Sequence, residues 1–300
     1  MRKYTARVAS AGVYQLGEGP VWDAQRERIL WVDVVAGRVH TGVLRDGTIA
    51  ESSSTRVDQT VGSVVVAETG ALLVAGRHDL HLVDLAGNQH RVVGIVPPDK
   101  RSRLNDGGCD PAGRFVVGSL AQDGRTGDEC LYRWSEQGTD VLDDDLTLSN
   151  GLAWSADGGT LYSIDTQPGT VWQREYDAVT GACGPRDRLM SVRDGLPDGL
   201  CLDLDGNLWI AIWGAGEVRC YRCDGTLLAT VEVAAPHTSS VAFVGPDLDV
   251  LLITTARAEL TDEQLLASPN SGRLFLAEVG TRGQPVPDWR PPRSLTLPEP

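Results

Sequence analysis

One short plan recurs six times along these 300 residues, and its period constrains the fold more than any single motif. The copies read GlyProValTrpAsp at 19–23, GlySerValValVal at 62–66, AspGlyGlyCysAsp at 106–110, GlyLeuAlaTrpSer at 151–155, GlyLeuCysLeuAsp at 199–203 and SerValAlaPheVal at 240–244. Each leads into a turn, often Asp-Gly, and then an apolar strand. Glu18 to Ser239 is 221 residues in five steps, or about 44 per step. Strand-turn-strand units at that period are what a β-propeller blade produces. About 44 residues also hold four strands of about five residues with their turns. The expectation is an all-β, six-bladed β-propeller with a central channel, one domain over residues 1–300. Tyr4–Val8 is expected to add a strand to the last blade and close the ring, hiding two sheet edges. A Pro-rich tail from about residue 284 is expected to lie over the surface. Helical periodicity is confined to Glu259–Ala267, where Thr261 and Gln264 have capping-box spacing.

One column of the repeat is polar where a purely structural repeat would be apolar. It holds Glu18, Gly62 (one place further into its motif), Asn105, Asn150, Asp198 and Ser239. In a closed ring, one repeat position lies at one height on the channel wall. Glu18, Asn150 and Asp198 then bring two carboxylates and an amide oxygen together, the donor type that hard divalent cations take. Two carboxylates that close would repel without a cation. Gly62 and Ser239 are read as leaving room for a ligand. Arg103 stands two residues before Asn105, on the same face of an extended segment. Its guanidinium suits hydroxyl groups or a carboxylate.

Composition narrows the partners. The net charge of −14 argues against nucleic acid and against anionic membrane, both of which need a basic surface. The N-terminal residues carry no secretory apolar core, and no stretch approaches a membrane span. The six cysteines form no small-scaffold framework, so reduced thiols and a cytoplasmic location are expected. Cys220-x-x-Cys223 has no second pair or nearby His and reads as structural. No Gly-x-Ser-x-Gly elbow, P-loop or dinucleotide fingerprint is present. Asp33 and Asp165 occupy equivalent second-strand positions and read as turn or inter-blade hydrogen-bonding groups. His237, Trp213 and Arg257 either reach the channel mouth or pack between blades.

Four ordered motifs carry a family resemblance: LeuGlyGluGlyProValTrpAsp (16–23), ArgLeuAsnAspGlyGlyCysAspProAlaGlyArgPhe (103–115), SerAsnGlyLeuAlaTrpSer (149–155) and ProAspGlyLeuCysLeuAsp (197–203). Together they resemble the senescence marker protein/gluconolactonase/regucalcin family, over about residues 14–280. LeuTrpIleAlaIleTrpGly (208–214) and ThrThrAlaArg (254–257) look more like the bacterial sugar lactonases of that family. The resemblance implies a six-bladed propeller with one divalent ion in its channel, with ligands at Glu18, Asn150 and Asp198. It implies substrate contacts at Arg103 and Asn105. A family Glu that contacts substrate falls at Asp123, a shorter acid, when the loop after GlySerLeuAla (118–121) is aligned without a gap.

The activity so implied is metal-dependent hydrolysis of an aldono- or pentonolactone to the sugar acid. A cation polarises the lactone carbonyl, and Asp198 activates water. A water held on the cation is the alternative nucleophile. The oxygen ligands admit calcium, zinc, magnesium, manganese or ferrous iron. Two other readings stand beside this one. The same scaffold could hydrolyse other esters or phosphotriesters, or it could be a calcium-binding propeller without catalysis.

Overall fold

The computed structural model describes residues 1–295. Six sheets follow one another round the ring, each built on an antiparallel meander that begins with the innermost strand. Those six strands are Gly17–Asp23, Ser63–Val66, Ser102–Cys109, Ser149–Trp154, Leu196–Leu202 and Thr238–Val244, and they define blades 1 to 6. All six motif copies fall on these strands or at their ends. Six apolar clusters fill the six gaps between neighbouring blades. Blades 1 and 2 meet through Leu30, Val32, Val64 and Val74. Blades 6 and 1 meet through Val244, Leu252, Leu276, Ile29 and Trp31, so the ring is closed. Alternation explains the apolar second strands. Along Arg28–Asp33, Ile29 and Trp31 face one neighbour while Leu30 and Val32 face the other, so both faces are buried.

The N-terminus closes the ring differently from expectation. Arg7–Val8 pairs antiparallel with Phe275–Leu276 and completes blade 6. Tyr4 lies in a separate strand, Arg2–Thr5, which runs parallel to Leu227–Glu232 as a fifth strand of blade 5. The segment therefore adds one strand to blade 5 and one to blade 6, where a single strand on the last blade was expected. The capping box is present: Thr261 N–H donates to Gln264 Oε1 at 2.8 Å and Gln264 N–H to Thr261 Oγ1 at 3.3 Å. The helix it opens, Asp262–Ala267, starts later than Glu259, which sits at a positive φ of 66°. No helix among the described residues is long and apolar enough to cross a membrane.

The tail from Gln284 to Leu295 straps the end of the ring where the innermost strands finish. Gln284 N–H bonds Leu202 O, Trp289 N–H bonds Val66 O and Arg290 N–H bonds Gly113 O. Trp289 is buried and stacks on Trp134 with ring centroids 6.0 Å apart. Residues 296–300 lie outside the described part.

Candidate active site

The innermost strands do not pair regularly with their neighbours at the polar column. Register shifts fall between Glu18 and Val21, Leu104 and Gly107, Asn150 and Leu152, Pro197 and Leu200, and Thr238 and Ser240. A bulge inserts an unpaired residue and re-aims its side chain. Five blades carry one at the same height, and the polar residue sits in or beside it each time. Blade 2 has no such shift. There Gly62 serves close packing instead: a Cβ on it would lie 2.4 Å from Asn105 O. Gly151 does the same two blades further round the ring, with Asp198 O at 2.6 Å from the Cβ it lacks.

The bulges bring together groups from blades that are not neighbours. Glu18 stands on blade 1, Arg103 and Asp106 on blade 3, and Asp198 on blade 5, yet their charges act on one another. In a six-membered ring that coupling runs across the centre. Glu18, Asn105, Asn150 and Asp198 are each 7% exposed or less. Burial first, and the Asp106 carboxylate second, push Glu18 up to about 8. Burial pushes Asp106 up to about 6. Asp198 is raised well above the usual carboxylate range, by burial and then by Glu18 and Asp106. Burial lowers Arg103 to about 10, against the pull of Glu18 and Asp198.

Hydrogen bonds fix the members in place. Asn150 Nδ2 donates to Asp198 Oδ1 and to Thr166 Oγ1, the latter at 3.1 Å. Arg103 Nη1 donates to Asn105 Oδ1 at 2.7 Å, and Asn105 Nδ2 to Ser149 O at 2.9 Å. Both ends of the Asn105 amide are thus engaged, and it orients Arg103. Glu18 Oε2 accepts from Gly19 N–H at 2.9 Å. Ser239 is not an open place in the wall. Its Oγ donates to Gly17 O at 2.5 Å and meets Thr254 Oγ1 at 2.9 Å, tying blade 6 to blade 1. Gly62 and Ser239 therefore serve contacts between blades, which corrects the reading that they leave room for a ligand.

Asp123 is not brought into this cluster. It lies on the exposed loop after Ala121, with its carboxylate held by Arg125 Nε at 2.8 and 3.0 Å. Asp33 and Asp165 bond within their own blades and not between blades, each accepting from the backbone of its blade's lead-in: Gln15 N–H to Asp33 at 2.8 Å and Leu148 N–H to Asp165 at 2.9 Å. Asp106 was not singled out from the sequence. Its one signal is its place beside Asn105, where the bulge turns both residues out of the ladder.

The donor set suits a hard cation. Two buried carboxylates repel each other here, and a divalent ion would offset that repulsion. No donor among the described residues reaches Asn150 Oδ1, so that oxygen is available as a third ligand. No cluster of three or more His, Cys, Asp and Glu side chains with metal-binding geometry occurs among the described residues. The site therefore depends on the amide. Two clefts of about 410 and 370 Å³ lie at the opposite end, against the C-terminal strap and the N-terminal strand. Neither contains the converging carboxylates.

Residues 16–257 match the sequence family described as SMP-30/Gluconolactonase/LRE-like region. The chain is 35% identical over 283 residues to pentonolactonase XacC of Haloferax volcanii, covering 90% of this chain and 93% of that protein. It is 33% identical to a 6-deoxy-6-sulfogluconolactonase of Pseudomonas putida, with 89% and 92% covered. The crystal structure of regucalcin from Agrobacterium tumefaciens, described as a calcium-binding protein, superposes with a TM-score of 0.90. Its identity is 28%, over 96% of this chain and 98% of that one.

Proposed function

The chain belongs to the SMP-30/gluconolactonase/LRE-like family, whose members named above include lactonases, and we propose that it is a metal-dependent sugar lactonase. One observation carries this reading. Glu18 and Asp198, two buried carboxylates from non-adjacent blades, oppose each other's charge, with Asn150 bonded to Asp198 and the Arg103 guanidinium near enough to act on both. A purely structural ion needs no such guanidinium. When bound by Glu18, Asn150 and Asp198, a divalent cation supplies Lewis acidity at the lactone carbonyl.

The protein's own groups do the rest. Arg103, oriented by Asn105, donates to the hydroxyls of an aldono- or pentonolactone and sets its ring in the mouth. Asp198 accepts the proton of the attacking water as the new C–O bond forms. The ring ester C–O bond then breaks, and the proton passes to the departing ring oxygen, giving the hydroxy acid. The reading takes residues 1–300 as one propeller domain. Six free cysteines support a reducing, cytoplasmic setting.

The test is hydrolysis of a panel of pentono- and hexonolactones by the purified protein after chelation, with calcium, magnesium, manganese, zinc or ferrous iron added back. Turnover restored by at least one ion is expected. No ion-dependent rate above background on any lactone would sink the reading. Tight calcium binding without turnover would favour a calcium-binding propeller, a role consistent with the description of the Agrobacterium protein.

A further inference from the structure

Outside the carboxylate cluster, one aromatic pair stands on the mouth rim between the blades that carry Asp198 and Glu18. Trp213 ends the second strand of blade 5 and pairs with Leu196, two residues before Asp198. His237 leads into blade 6, two residues before Ser239. A backbone bridge joins Trp213 to His237, and their rings stack at 4.1 Å and 17°. His237 holds the same place relative to Ser239 as Arg103 holds relative to Asn105, so the two stand at one level of the ring.

We propose that His237, seated on Trp213, is a specificity residue of the lactone site, its Nε2 accepting a hydroxyl hydrogen from the sugar lactone. The proposal rests on the lactonase reading. His237 Nδ1 lies 3.0 Å from Ala258 O. A carbonyl only accepts, so Nδ1 carries the hydrogen and the neutral ring presents Nε2 as a lone pair. Burial disfavours the imidazolium, which keeps that lone pair available near neutral pH. No group among the described residues bonds Nε2, and the ring is only half-buried. The chemistry of the mouth also needs an acceptor. Arg103 can only donate, and Glu18 and Asp198 are committed to the cation. A polyhydroxy ring brings hydrogens that need an oxygen or nitrogen to receive them, and Nε2 supplies one at the level of Arg103.

The test compares wild type, His237→Phe and His237→Gln on the best sugar lactone and its monodeoxy analogues, with the restoring ion present. Phe keeps the stack on Trp213 and removes the acceptor, while Gln returns a polar acceptor. We expect His237→Phe to raise KM about tenfold with kcat within about threefold, the worth of one hydrogen bond. The penalty should vanish on one monodeoxy analogue, and His237→Gln should recover most of the loss. An unchanged KM, or the same penalty on every analogue, overturns the proposal and leaves the lactonase reading intact. A wild type inactive on all lactones overturns both. If His237→Phe does not fold, His237→Ala carries the same comparison.

Discussion

Asn150 donates its side-chain amide directly to the carboxylate of Asp198, a residue 48 positions further along the chain and one blade round the ring. The bond holds Asp198 beside the axis while burial and Glu18 both oppose its charge. Asp198→Asn keeps the shape and removes the charge. We expect kcat/KM to fall by about 10³-fold or more, within the range for loss of a general base that also holds an ion. The chelated variant should melt no lower than wild type near neutral pH, because an amide needs no proton to be buried, whereas the buried Asp198 carboxyl must take one up on folding. Melting curves and lactone kinetics on the same preparation check both.

The raised carboxylates set a pH dependence with a definite sign. Glu18 rises from its ordinary 4.5 to about 8. Between those values the folded, chelated protein holds a proton that the unfolded chain releases. Stability is therefore highest at the low end of that window and falls as pH rises through it. Asp106 and Asp198 shift the same way. A divalent cation favours the ionised form, so it should raise the melting temperature more at about pH 8 than at about pH 5.5. A cation effect independent of pH would contradict the assignment of Glu18 as a ligand.

Arg103 should separate ion binding from substrate binding. Its positive charge acts on Glu18 and Asp198, where an ion would sit. Arg103→Ala should therefore tighten cation binding while lowering lactone kcat/KM by about 10²-fold. Calorimetric titration of the chelated protein and steady-state kinetics give the two readouts. Opposite directions are expected; parallel losses would indicate collapse of the site.

Gly62→Ala tests the packing near the axis. The added Cβ would sit 2.4 Å from Asn105 O and 2.8 Å from its Cα, both backbone atoms. We expect destabilisation of about 3 kcal/mol, at the upper end of overpacking effects. Because Asn105 orients Arg103, KM should also rise. A variant with wild-type stability would show that the blades have slack there.

Trp289→Ala makes the opposite comparison at the far end. Trp289 is 1% exposed and anchors the strap across blades 2 and 3. A loss of about 3–5 kcal/mol is expected from truncating a buried Trp. Rates measured well below the melting temperature should stay at wild-type level, since the site opens at the other end.

The inner and second strands were legible because their environment imposes a pattern. Second strands such as Arg28–Asp33 are buried on both faces and carry apolar runs, here Ile29–Val32. The outer strands Thr48–Arg56, Gln89–Gly94 and Gly138–Leu146 carry little apolar signal in the sequence, because their residues largely face solvent. The 44-residue spacing fixed the height of each column residue along the channel, since a closed ring of equal repeats allows no other arrangement. It could not say where each side chain points. That was decided by bulges and by contact between blades, which depend on residues far apart in sequence. Those contacts made Gly62 a site of backbone crowding and Ser239 a tie to blade 1. They also drew Asp106 towards Glu18 and Asp198, and laid His237 on Trp213 at the rim. The sequence by itself determined the ring and the list of oxygen donors. Only the tertiary structure decided which of them meet, because side-chain direction at a bulge is set by the neighbouring blade and not by the local chain.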